Sequence, residues 1–273
     1  TSGSRTYRLV IHGGAMEKQQ KRTTAKTGQY QDVPSKKPEP EKKLFTGQPR
    51  IAIVLDDVGL GSMDSFREAL RIPYPLTFAV IPFRRFTREC ASMARGHGFE
   101  MIVHMPMEPY GYPKEDPGPG AILESDTPDQ IIRKVEAALE SVSYAQGMNN
   151  HMGSKITALP FTMRVILTTL KREGLFFIDS RTTPDTVAEQ EARELGVPTL
   201  PRNVFLDNER DTEAIRKQLE EAVAHATRHG YAIAIGHNYP ETIAVLKQEM
   251  PRLDRTVNFV FARELVDEAG RSD

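Results

Sequence analysis

The chain contains no tryptophan and a single cysteine, Cys90. One cysteine excludes an intrachain disulfide and any zinc site built from several thiolates. Cys90 falls in a helical-looking stretch, FTRECASMARGHG, and reads as a small buried hydrophobe. No apolar run approaches the ~18 residues of a membrane-spanning helix. No signal-peptide pattern is visible, although a chain opening on Thr1 is compatible with a removed export segment or anchor. Charge of one sign is also missing. Against 37 acidic residues stand 36 basic ones, so no nucleic-acid partner is expected. The first apolar run leads into VLDDVGLGS, which is neither a dinucleotide fingerprint nor a P-loop, so a nucleotide site lacks support. No internal repeat occurs.

What is present is 39% hydrophobic residues over 273 positions, enough for a well-buried core. Residues 1–49 stand apart. Tyr7 to Ile11 has the pattern of a short strand, but EKQQKRTTAKTGQYQDVPSKKPEPEKK is almost free of aliphatic residues and reads as a solvated tail or linker. From Arg50 to Asp273 one domain is expected. Apolar runs end at 57, 82, 106, 180, 207 and 237, with GMNNHMGS as a further strand end or loop, and VNFVFA (257–262) is read as a last strand. Amphipathic helical stretches fall between them, one opening on Pro128. The class is α/β, with strands apolar enough to be covered on both faces. Open doubly wound sheets and closed barrels both fit this pattern.

Position is the informative feature of the polar residues. Asp56 and Asp57, His104, His151, Asp179 and His237 each sit where a predicted strand ends. In β/α folds those ends converge on one face, where active sites are built. Two adjacent acids suit a metal ligand beside a base, the bland alternative being a helix cap. His104 and His151 suit a divalent metal of the zinc type. Glu108, four residues past His104, reads equally as a ligand, a partner of one, or a solvated acid. Asn149, Asn150 and Ser154 surround His151 with hydrogen-bonding groups. Asp179, beside Arg181, reads as an ion-pair acid or as an orienting group. His237 suits a general acid. The other histidines fit duller roles: His12 in the tail, His97 at a helix end, and His225 and His229 on a solvated helix face.

The motifs LDDVG, HMPMEP, NNHMGS, FFIDSRT and IAIGHNYPET, in that order over 50–260, resemble the divergent polysaccharide deacetylase family of the NodB-like carbohydrate esterases. The resemblance implies a distorted (β/α) barrel of about seven strands and one divalent metal, with zinc expected. It implies Asp56 as base, Asp57 as ligand and His237 as general acid, with Asp179 among the catalytic residues. Relatives carry a second histidine where this chain has Glu108, so His151 is expected to complete the ligand set with Asp57 and His104. Arg181 is the candidate for the family's arginine. Glu108, Asn150, Ser154, Arg181 and Tyr239 are expected at the substrate, with Tyr110, Tyr112 and Tyr239 as candidate sugar-stacking rings.

The expected activity is metal-dependent hydrolysis of an N-acetyl amide on a carbohydrate, peptidoglycan-like and of the cell envelope, by an exported or periplasmic protein. Two other readings use the same residues: a glycan- or partner-binding protein that has lost catalysis, and an amidase of peptides or small amides.

Overall fold

The structure, a computed structural model, describes residues 47–270. Residues 1–46 of the expected 1–49 tail, with its strand at Tyr7 to Ile11 and His12, lie outside them. Eight parallel strands run in the order β6-β5-β4-β3-β2-β1-β8-β7. They are β1 (Arg50–Val58), β2 (Thr77–Val80), β3 (Glu100–Met107), β4 (Gly147–Met152), β5 (Phe176–Asp179), β6 (Thr199–Pro201), β7 (Val204–Phe205) and β8 (Tyr231–His237). A ninth, β9 (Asn258–Phe259), pairs with the start of β1. Helices α1 (Met63–Ala69), α2 (Thr87–Gly96), α3 (Pro128–Ser141), α4 (Pro160–Arg172), α5 (Ala188–Leu195), α6 (Thr212–His229) and α7 (Pro240–Leu253) alternate with the strands.

The two ends of the sheet are consecutive in the chain. One segment bonds to β5 as β6, then crosses to β8 as β7, with the Arg202 N–H on the Asp179 carbonyl and the Asn203 N–H on the Ile233 carbonyl. This is a parallel half-barrel whose last turn is spanned by a single switching strand, consistent with the distorted barrel expected. Counting β6 and β7 as one segment, seven strands form its wall.

Strand alternation divides the core in two. Ile51, Ile53, Leu55, Phe78, Val80, Met101, Val103, Met148 and Phe177 pack outward against the helices. Ala52, Val54, Ala79, Ile102, Ile178, Ile233 and Ile235 face the other way and pack together with Ala262, Leu265 and Val266. Those last three belong to α8 (Ala262–Ala269), which sequence patterning did not foresee. The expected strand over 257–262 is correspondingly short. β9 meets only Arg50 and Ile51 of β1, and the chain then turns at Phe261 into α8.

α8 sits at the amino ends of the strands. The Thr77 hydroxyl accepts the Ala262 N–H at 3.1 Å, and the Glu100 carboxylate accepts the Arg263 N–H at 3.2 Å and the Thr77 hydroxyl proton at 2.7 Å. Arg50, at the start of β1, pairs with Glu268. Side-chain caps mark three of the other helices: Ser62 on α1, Thr127 with reciprocal Gln130 on α3, and Asp211 on α6.

Burial pushes the Glu100 carboxyl up to about 7, against the opposing pull of its hydrogen bonds. Between its ordinary value of 4.5 and that level, the folded chain keeps a proton that the unfolded chain has lost. Raising the pH through that window therefore removes stability, on the order of 3 kcal/mol. Glu100→Gln is expected to flatten that part of the profile. Urea denaturation of both proteins at pH 5 and pH 8 reads it, and parallel pH slopes would contradict the assignment.

Candidate metal centre

The polar residues that reach the concave face are those on the parity of the inner core. Asp56 follows Ala52 and Val54, His104 follows Ile102, and His237 follows Ile233 and Ile235. On β4 Met148 faces outward, so Asn149 and His151 face inward. Parallel pairing sets Asp56 beside His237 and His104 beside Asn149. Asp57 has the wrong parity for the inner face. Its φ of 61° and a register shift in the β1–β2 pairing turn it back toward its neighbour's side.

Three donor atoms then converge. Asp57 Oδ1 lies 3.1 Å from His151 Nδ1 and 3.4 Å from His104 Nε2, and the two nitrogens are 3.1 Å apart. Donors bound at about 2.0–2.2 Å around one tetrahedral ion stand about 3.3–3.6 Å from each other. Asp57 Oδ1 is buried and forms no proper hydrogen bond. Two imidazoles and one carboxylate are a donor set that fits a divalent metal ion.

The neighbouring hydrogen bonds aim these donors. The Asp56 carboxylate accepts at Oδ1 from the Asn149 amide nitrogen at 2.8 Å. That orientation leaves the Asn149 oxygen to accept from His104 Nδ1 at 2.7 Å. The proton on Nδ1 directs the Nε2 lone pair at the cluster. Burial would raise the Asp57 pKa, but the imidazoles of His104 and His151 hold it far below the carboxylate range. Burial likewise opposes charge on His104, yet Asp56 and Asp57 push its pKa up, whereas His151 is lowered by burial and by the charge on His104. The three donors together therefore favour a positive charge, which a shared proton or a bound cation would provide. Asp56 is raised, chiefly by burial.

Beside Asp56, on the neighbouring strand, stands a dyad. His237 Nδ1 donates to Asp207 Oδ1 at 2.9 Å, while Asp207 Oδ2 accepts the His237 N–H and the Thr242 hydroxyl, each at 2.6 Å. Burial disfavours the imidazolium, but Asp207 outweighs it and lifts the His237 pKa to about 9. His237 Nε2 is 3.9 Å from Asp57 Oδ2. Tyr239 stacks on the His237 ring at 4.9 Å.

Of the residues expected around the site, Asp56, Asp57, His104, His151, His237 and Tyr239 are brought together. Asp179 is not among them. It lies on the outward parity of β5, where it accepts from the Arg181 N–H and the Thr186 hydroxyl. Glu108 is also turned elsewhere, to Lys155 Nζ at 2.8 Å and the Glu124 N–H at 2.7 Å. Asn150 is spent on the Met152 carbonyl, the Thr182 hydroxyl and the Ser180 N–H. The Ser154 hydroxyl accepts the Tyr110 N–H, and the exposed Arg181, with φ at 50°, lies at the end of β5. Sequence reasoning missed Asp207, Asn149 as the link between Asp56 and His104, and Arg202, which donates to the carbonyls of Ser180 and Arg181. Asp207 ends VFLD as Asp179 ends FFID, and Asn149 lies two residues before His151. Both signals were available.

Residues 53–266 match the model of a family described as divergent polysaccharide deacetylase. The chain is 36% identical to the uncharacterized protein YibQ of Escherichia coli (strain K12), over 80% of this chain and 68% of that protein. Its fold is similar to that of the uncharacterized protein ATU2773 of Agrobacterium tumefaciens C58, with a TM-score of 0.76, 24% identity, and coverage of 80% and 89% of the two chains. It is also similar to the T48 deacetylase solved with its substrate, with a TM-score of 0.52, 14% identity, and coverage of 81% and 92%.

Reconstituted protein is expected to retain about one divalent ion per chain, and Asp57→Ala, His104→Ala or His151→Ala to lose it. Asn149→Leu leaves all three donors but frees the His104 ring, and should weaken ion affinity by about 10–100-fold. Elemental analysis and competition with a chelating dye read both effects, and unchanged affinity in Asn149→Leu would count against the aiming role.

Proposed function

The chain belongs to the divergent polysaccharide deacetylase family, and from that premise we propose that it hydrolyses N-acetyl amides on a carbohydrate. The observation that supports this reading most is the placement of a carboxylate, Asp56, and an imidazolium, His237, on neighbouring strands, each beside one three-donor cluster. Asp57, His104 and His151 would hold a divalent ion, zinc by the nature of the donors. Bound there, the ion supplies Lewis acidity toward an acyl oxygen and lowers the pKa of water.

The chain's own groups do the rest. Asp56 has Oδ1 engaged by Asn149, so Oδ2, which faces His104 at 3.6 Å, is the atom free to take a proton from water. Burial raises its pKa toward the range in which a carboxylate is an effective base. His237 holds a proton on Nε2 at neutral pH, because Asp207 fixes the Nδ1 proton and stabilises the imidazolium. It delivers that proton to the departing amine, and the two residues thereby exchange the protons that amide cleavage requires.

A glycan-binding protein without catalysis is the second reading, suggested by Glu108 in place of a histidine; the grouping of His151 with Asp57 and His104 favours the hydrolase over it. An envelope glycan as substrate also implies export to the periplasm, and cell fractionation with a tagged full-length chain tests that location.

Metal-loaded protein is expected to release acetate from N-acetylated chitin or peptidoglycan oligomers. Asp56→Asn and His237→Ala should each lower kcat by about 10²–10⁴-fold. Asp207→Asn should lower kcat with little change in KM. Absence of acetate from every oligomer, with the ion bound, would sink the hydrolase reading.

A further inference from the structure

The switching strand lines a cavity that reaches the centre through the Phe205 ring. A groove of about 440 Å³ runs between residues 202–208 and α6. Its walls carry Arg202, Asn208, Gln218, His225 and Arg228, with the Phe205 ring between them. Arg202 and Arg228 form no ion pair among the described residues, whereas Arg210 and Arg216 nearby are paired with Glu241 and Glu249. The guanidinium of Arg202 is half-buried and fixed. It donates to the Ser180 carbonyl at 2.7 Å and the Arg181 carbonyl at 3.0 Å, and lies 5.0 Å over the Phe205 ring. Phe205 in turn meets His237 edge-on at 5.5 Å, so the groove lies one ring away from the proton donor. Burial and the neighbouring Arg181 disfavour charge on Arg202, and the acids acting on it, Asp179 and Asp56, are both committed elsewhere. A partly buried cation without its own counter-ion is costly to keep.

The remaining wall groups suit a sugar. The side chains of Asn208 and Gln218 make no hydrogen bond among the described residues, and His225 uses Nδ1 on the Tyr231 carbonyl, leaving Nε2 open. The volume is that of a small-ligand site. Glu221 stands on the same wall, so two arginines face one glutamate. That balance favours a singly charged anion over a dianionic phosphate.

We propose that this groove is a subsite for a sugar unit bearing a carboxylate, with Arg202 and Arg228 on the carboxylate and Asn208 and Gln218 on hydroxyls. The inference rests on the glycan reading above. It narrows the substrate to an acidic polysaccharide whose carboxylated unit neighbours the unit being deacetylated. Arg202 presents its fork to the anion already ordered, since two of its donors are tied to backbone.

The test is calorimetric titration of metal-loaded protein with three disaccharides: the neutral β-1,4 dimer of N-acetylglucosamine, the same dimer carrying a lactyl carboxylate on O3 of one unit, and the carboxamide of the latter. Asp56→Asn protein is used so that turnover does not consume the ligand. The carboxylate is expected to bind about tenfold more tightly than the carboxamide. Arg228→Gln, on an exposed helix position, should bring the two to near equality, as should Arg202→Gln. Equal binding of carboxylate and carboxamide, or a preference that survives Arg228→Gln, overturns the subsite. Acetate release by the wild type from neutral and carboxylated oligomers at equal efficiency would overturn it while leaving the hydrolase standing. A carboxylate preference in a wild type that releases no acetate would do the reverse.

Discussion

Two consecutive acids can serve one centre only if the backbone between them breaks the alternation of the strand. Asp56 reaches the concave face by parity, and Asp57 by a left-handed φ and a shift of register. A non-glycine residue held there costs about 1–3 kcal/mol. The rest of the site depends on that turn. Asp56 orients Asn149, Asn149 assigns the His104 proton, and the freed lone pair of His104 points to where Asp57 arrives. Without the turn, Asp57 would leave the cluster and the two imidazoles would meet with no carboxylate between them.

The same alternation explains what was legible in the sequence. Each apolar run names its own inner and outer faces, and the polar residue that ends it inherits a face. Asp56, His104, His151 and His237 could be picked from strand ends, and the half-barrel from the alternation of runs and amphipathic helices. Asp179 and Asn150 share those strand ends but fall on the outward parity, and both are spent on bonding the loop after β5. Proximity to a strand end was therefore necessary for a place in the centre but not sufficient.

What could not be read depends on partners distant in the chain. Glu108 is removed from the centre by Lys155, 47 residues later, and by the Glu124 amide. α8 has apolar residues at Ala262, Leu265, Val266 and Ala269, a helical spacing in ARELVDEA. Its role became visible only with the strands beneath which it packs. The segment 199–205 reads as ordinary strand and loop, yet its change of partner from β5 to β8 both bridges the sheet and opens the groove beside His237. No local propensity encodes such an exchange.

The two ends of the half-barrel thus differ in kind. At the amino ends, α8 is tied to Thr77, Glu100 and Arg50, and apolar side chains fill the concavity. At the carboxyl ends, Asp57, Met152 and Arg181 all hold left-handed backbone, and donors of like character crowd together. Strain of this kind persists only where the surrounding structure over-determines it. Here the inner apolar layer lies directly under the crowded layer, with Val54 below Asp56 and Ile102 below His104 on the same strands. Burial that stabilises the barrel also withholds water from those donors, and so raises the cost of leaving them without a cationic partner. The apolar fill at one end and the crowded donor cluster at the other follow from the same seven strands, and a single interior residue such as Ile102 serves both.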